Sequence, residues 1–163
     1  MRALARAAGT TTPTVYERFR DKKDLLRFLR AHALDNFLRA IEPAETAAGT
    51  CRQFLAFASA HPNEYRLLVA DWAVRLGRRE RKPSFELIKD RLASELGGKP
   101  SQHTRLALAL GELLHGTVMM ILAEGVRERI DRELRHACMA ACESLIEHAS
   151  AKPQRWNSPR PRS

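Results

Sequence analysis

Between its glycines and prolines the chain repeats apolar residues at intervals of three and four, and nowhere sustains the alternation of a half-buried strand. That periodicity restricts it to helices packed on helices, an all-α fold. "MRALARAA" reads as a short first helix closed by Gly9; a second begins near Thr11 and Thr12, carries Pro13 in its first turn and ends about Phe19. Asp21 has the side chain of a helix cap, with Asp24 three residues on, and predicts a long third helix to about Ile41, before Pro43. Leu25, Phe28, Leu29, His32, Ala33, Asn36 and Phe37 fall along one side of it. Five more helices are expected at about 44–60, 62–76, 83–96, 101–124 and 127–149, separated by Pro62, Gly77 with Pro83, Gly97 with Gly98 and Pro100, and Gly125. The chain thus divides into residues 1–41, a helical body over 44–150, and a proline-rich basic tail, 151–163, with too few apolar residues to order itself.

Charge separates these parts. Residues 1–40 hold nine Lys/Arg against Glu17, Asp21, Asp24 and Asp35; residues 41–150 hold fifteen of each sign; the tail adds four positive charges. A neutral body with basic ends places any surface for a polyanion near the N-terminus, because Lys and Arg gain affinity by displacing counterions from phosphates. The first residues lack the apolar block of a signal peptide, and the longest apolar segment, Leu106 to Ala123, is interrupted by Gly111, Glu112, His115 and Gly116. The expectation is a cytoplasmic chain with no membrane partner.

Cys51, Cys138 and Cys142 cannot all pair within one chain and are expected as free, buried thiols. Cys138 and Cys142 offer two ligands on one helix face with His136 pointing elsewhere, short of the four a structural zinc requires, so no metal or other cofactor is expected. His115 has no nucleophile or carboxylate at a persuasive spacing, and the chain does not read as an enzyme. "RRERK", 78–82, reads as a solvated loop with at most a nonspecific phosphate contact.

Two short helices joined by a tight turn headed by glycine, the second opening on small polar residues, describe a helix-turn-helix. A helix that enters a groove N-terminus first needs short side chains there, as Thr11, Thr12, Pro13 and Thr14 supply. Tyr16, one turn on, can give its hydroxyl to a phosphate; Val15 and Phe19 face inward. Lys22, with the amides of the third helix's N-terminus, is placed to grip another phosphate.

The run "LARAAGTTTPTVYERFRDKKDLL" resembles the TetR family of bacterial transcriptional regulators, through Leu4, Ala5, Ala8, Gly9, Thr14, Tyr16, Phe19, Lys22, Leu25 and Leu26. The likeness is strong over residues 1–30; beyond them "HPNEYRLLVADW" and "LLHGTVMMI" look like the regulatory part of such proteins. The resemblance implies a double-stranded DNA operator, a small-molecule effector, and a repressor released from the operator when the effector binds. In that family a further helix precedes the one that begins here at Met1. Without it Leu4, Val15 and Phe19 would lack a lid, each forfeiting about 1.5–3 kcal/mol of burial. Either Met1 is not the true start, which the intact phosphate-gripping pattern favours, or the chain is a non-DNA-binding helical dimer or small-molecule-binding partner protein with an incomplete helix-turn-helix.

Reading one half-site calls for a symmetric dimer. The helix over 101–124 is apolar nearly all round, and that over 127–149 carries Ile130, Leu134, Ala137, Cys138, Ala141 and Leu145 on one stripe. These predict an antiparallel four-helix homodimer interface built on Leu110, Leu114, Ala137, Ala141 and Leu145. For the effector, Phe54, Phe57, Tyr65, Leu68, Trp72, His115 and Met119 are the candidates to line an apolar cavity, although aromatic residues at helical spacing also make plain core.

Overall fold

The computed structural model of the protein describes residues 2–70, 83–123 and 127–151. Eight α-helices and no strand occur among the described residues: α1 Arg2–Ala7, α2 Thr12–Arg18, α3 Lys22–Ile41, α4 Ala47–Ala60, α5 Pro62–Val69, α6 Pro83–Leu96, α7 Thr104–Ile121 and α8 Glu128–Ala151. A single 3-10 turn, Pro100–His103, leads into α7. The end of the helix expected over 62–76, Trp72, the "RRERK" cluster and the tail from 152 lie outside the described residues.

Local chemistry sets the boundaries. Gly9 takes φ 61°, which other residues adopt only under strain, and lets its amide donate to Arg6 O (3.2 Å) and that of Thr10 to Ala5 O (2.9 Å). Two residues on, Thr11 caps α2, its Oγ1 accepting from the Thr14 amide. Asp21 caps α3 by accepting from the Asp24 amide at 2.8 Å, while Asp24 reaches back to the Arg20 amide at 3.3 Å. Thr46 does the same for α4, accepting from Gly49, and this cap starts the helix at Ala47 rather than 44. Glu95 of α6 accepts a further hydrogen bond from the Ala47 amide.

The main core lies wholly within α4–α8, around Leu55, Tyr65, Leu92, Leu106, Leu110, Val118 and Cys142. Pro100–Ile121 is long and apolar enough to satisfy the length and composition of a membrane span, despite Gly111 and Glu112, yet it contributes the middle of this core. Cys51, Cys138 and Cys142 are free and buried. The Cys138 thiol is raised well above its ordinary range, first by hydrogen bonding to Cys142 and then by burial. That of Cys142 is pushed up to about 12: its bond from Cys138 acts to lower it, and its bond to Cys51 together with burial outweighs that. Thiols so placed stay protonated and act as small core residues.

Helix α3, 20 residues and about 30 Å long, joins two environments. Its C-terminal half docks on the body through Phe37 and Ile41, which form a second cluster with Phe57 of α4. Beside its N-terminal half lie the two short helices, and Ala5, Val15 and Leu25 contribute one buried apolar residue from each of these elements. The single packed side expected along α3 is therefore corrected: Leu25, Ala33, Phe37 and Ile41 are buried, whereas Phe28 is 57% exposed and Leu29 and His32 are exposed. A straight helix crossing from one packing partner to the other leaves its middle uncovered. The bare apolar surface expected at Val15 and Phe19 is moved as well, since Val15 is buried and Phe19 half-buried against the Phe28 ring at 5.4 Å.

Candidate nucleic-acid interface and internal cavity

The head of the molecule presents the residues that the helix-turn-helix pattern singles out. Thr11 and Pro13 are exposed, Thr12 and Thr14 half-buried, Tyr16 is 53% exposed and Lys22 is exposed at the first turn of α3. Val15, between them in sequence, points inward and holds α2 against the head. Pro13 cannot donate a backbone hydrogen bond, and the Thr14 amide is engaged by Thr11 Oγ1 at 3.4 Å, a hydroxyl that also lies 2.8 Å from Thr14 Oγ1.

Beside Lys22, the Asp24 amide at the start of α3 is already engaged by Asp21, whose carboxyl is held below the ordinary carboxylate range chiefly by that amide. A carboxylate at that helix end leaves the grip on phosphate to the Lys22 ammonium. The arrangement can do two things chemically: offer short hydroxyls and a phenol to a groove, and place a cation beside a phosphate chain.

In the body, the aromatic candidates among the described residues join into a chain. Phe37 and Phe54 meet edge to face at 5.2 Å, Phe54 and Tyr65 at 5.7 Å, and Phe57 packs on Phe37. Leu68 packs on the Phe37–Phe57 cluster. The Tyr65 hydroxyl lies 2.7 Å from His115 Nδ1. Met119, one turn beyond His115 on α7, is 47% exposed.

An apolar cavity, partly open to solvent, lies on the other side of Phe54. It measures about 70 Å³ and is lined by Ile41, Cys51, Phe54, Phe85, Ala107 and Gly111 among others, so Phe57, Tyr65, Leu68, His115 and Met119 do not line it. Phe54 was among the candidates and does line it; the other lining residues went unread because they come from four separate helices. The one available signal was Gly111, a glycine in the interior of an apolar helix.

The residues proposed for dimer contact are also redistributed. Leu110 and Leu114 are 0% and 5% exposed within one protomer, committed to its own core. Apolar residues of α7 that face outward are Leu108, Met119 and Met120. On α8 the inward line is Cys138, Cys142, Ile146 and Ala149, which leaves Ala137 and Ile130 exposed and Ala141 and Leu145 half-buried at its edge. The reason is rotational: a stripe chosen at spacings of three and four leaves its angle toward the core open by about one residue, or 100°.

A polar network that the sequence reading did not anticipate ties α3 to α5. Asn36 donates to Glu64 Oε2 at 3.0 Å and lies 3.3 Å from His32 Nε2; Glu64 Oε1 is 3.4 Å from His61 Nδ1; and Arg39 donates to Asn36 Oδ1 at 2.6 Å. At the far end of α3, Arg91 of α6 donates to Glu42 O at 2.9 Å. Among the described residues no cluster of three His, Cys, Asp or Glu is placed to hold a metal ion.

Two family models match the chain. Residues 1–29 match the family model for bacterial regulatory proteins of the tetR family, and residues 47–141 match that for the Tetracyclin repressor-like C-terminal domain. No curated protein and no solved structure matches the chain. With an exposed recognition helix at one end and a matched helical body over more than half its length, the chain belongs to the TetR family of DNA-binding bacterial transcriptional regulators.

Proposed function

We infer that the protein is a homodimeric repressor that leaves its operator when a small molecule enters the body. The observation that carries this reading is α3, one unbroken helix that starts at the Asp21 cap beside Lys22 and ends at Ile41 in the wall of the cavity. A shift of the cavity wall would be delivered through this rigid rod to the recognition helix. A ligand that binds one setting of α3 better than another thereby changes the distance between the two recognition helices of a dimer.

In this reading Thr12 and Thr14 read base edges, Thr11 and Pro13 allow close approach, and Tyr16 and Lys22 hold phosphates. The dimer forms through the outward apolar residues of α7 and α8, namely Leu108, Met119, Met120, Ile130 and Ala137, with Ala141 and Leu145 at the border. The protein works in the cytoplasm on chromosomal DNA. Selection of bound fragments from bacterial genomic DNA tests the reading: recovered fragments should share an inverted repeat whose half-sites lie about one helical turn, roughly 34 Å, or a multiple of it apart. Fragments without a common repeat would sink it.

A further inference from the structure

We propose that the cavity beneath α6 and α7 is the effector site and that it takes a small neutral hydrocarbon-like molecule, a single aromatic ring or a short alkyl chain, rather than a charged ligand; this rests on the effector-released reading above. Its lining is almost wholly apolar. The Thr50 hydroxyl donates to Thr46 O at 2.9 Å, and the thiol of Cys51 accepts from Cys142, so the buried polar groups of α4 already have partners inside the protein. Glu112 borders the cavity from the exposed face of α7 and repels an anion approaching it.

Gly111 leaves the space open. In a helix interior glycine costs about 1 kcal/mol relative to alanine, and it is retained where a left-handed backbone or a close neighbour demands it. Neither applies among the described residues: Gly111 has no positive φ, and a Cβ built on it meets nothing within 4 Å; the same is true of Gly116, but only Gly111 lines the cavity. The empty position opens onto the cavity. A void and a helix-weakening residue coincide at this point of the core.

Size points to a moving wall. A cavity of about 70 Å³ is roughly half the 150 Å³ that admits benzene. The difference can come from Phe85, which is half-buried and so not enclosed on all sides. Ile41, 1% exposed, is the contact through which a widened cavity presses on the end of α3.

The test uses toluene, benzoate and benzylamine on the full chain without DNA, read by thermal unfolding and by ligand-observed NMR. Toluene at ten times its Kd should raise Tm by roughly 3–5 °C, with benzoate and benzylamine giving no shift at the same concentration. Gly111→Leu fills the space and should abolish the toluene response while keeping Tm at or above that of the parent; if Gly111→Leu does not fold, Gly111→Ala should reduce toluene affinity several-fold with a raised Tm. Equal binding of a charged analogue, no toluene binding, or undiminished binding in the filled variants overturns the proposal. Because no DNA is present, these outcomes are separate from failure of operator binding, which would strike the regulator reading and leave the cavity assignment standing.

Discussion

The Tyr65 hydroxyl of α5 and His115 Nδ1 of α7 sit 2.7 Å apart, 50 residues distant in sequence, with the tyrosine 2% exposed. Burial raises the tyrosine above its ordinary range and keeps it protonated in the fold. The folded chain therefore retains a proton that an unfolded tyrosine releases above about pH 10, so stability falls as pH climbs past that point. Tyr65→Phe should lower stability by about 1 kcal/mol at neutral pH and flatten the alkaline decline. Thermal unfolding at pH 7 and across pH 9–11 checks both; an unchanged alkaline slope would place its origin elsewhere.

Lys22→Ala should weaken binding to every DNA sequence and reduce the salt slope by about one unit. Tyr16→Phe should weaken binding uniformly too, with a smaller effect on the slope, since a neutral hydroxyl displaces no counterion. Titrations over a range of salt concentrations distinguish the two. Substitution of Thr12 or Thr14 should instead change which sequence is preferred, as a randomised-operator selection would reveal; uniform weakening would remove them from base readout.

Asp21→Ala should lower Tm at pH 7. Its carboxyl is held below the ordinary range by the Asp24 amide, so the stabilisation is present above the unfolded carboxyl pKa and is lost as pH falls through the lower, folded value. The Tm gap between parent and variant should accordingly close on acidification, and a gap that persists in acid would mean that the cap acts through something other than its charge.

Ala137→Arg places a long cation on the exposed line of α8 and should yield monomers in sedimentation, with folding intact by circular dichroism. A surviving dimer would move the contact off this line.

Asn36→Ala removes the residue on which Glu64, His32 and Arg39 converge between α3 and α5. Operator affinity in the absence of effector should stay within a few-fold of the parent, and the fold-change on adding effector should shrink. Full retention of the response would assign coupling to the Phe37–Ile41 contact alone.

Much of this protein was legible in its sequence because the deciding interactions are short-range. Gly9, Thr11, Asp21 and Thr46 act on amides or carbonyls within five residues, so helix boundaries and the recognition turn follow from neighbours along the chain. The run around Thr14, Tyr16 and Lys22 identifies the family for the same reason. Tertiary structure alone decided which face of each helix is inward. Periodicity reveals that α7 and α8 have apolar stripes but not their rotation, and it was the packing of α4 against α8 that buried Cys138 and Cys142 while leaving Ala137 outside. The cavity, the Tyr65–His115 pair and the Asn36–Glu64 bridge each join helices from distant parts of the chain, at distances set by how whole helices settle against one another, and no local preference encodes them.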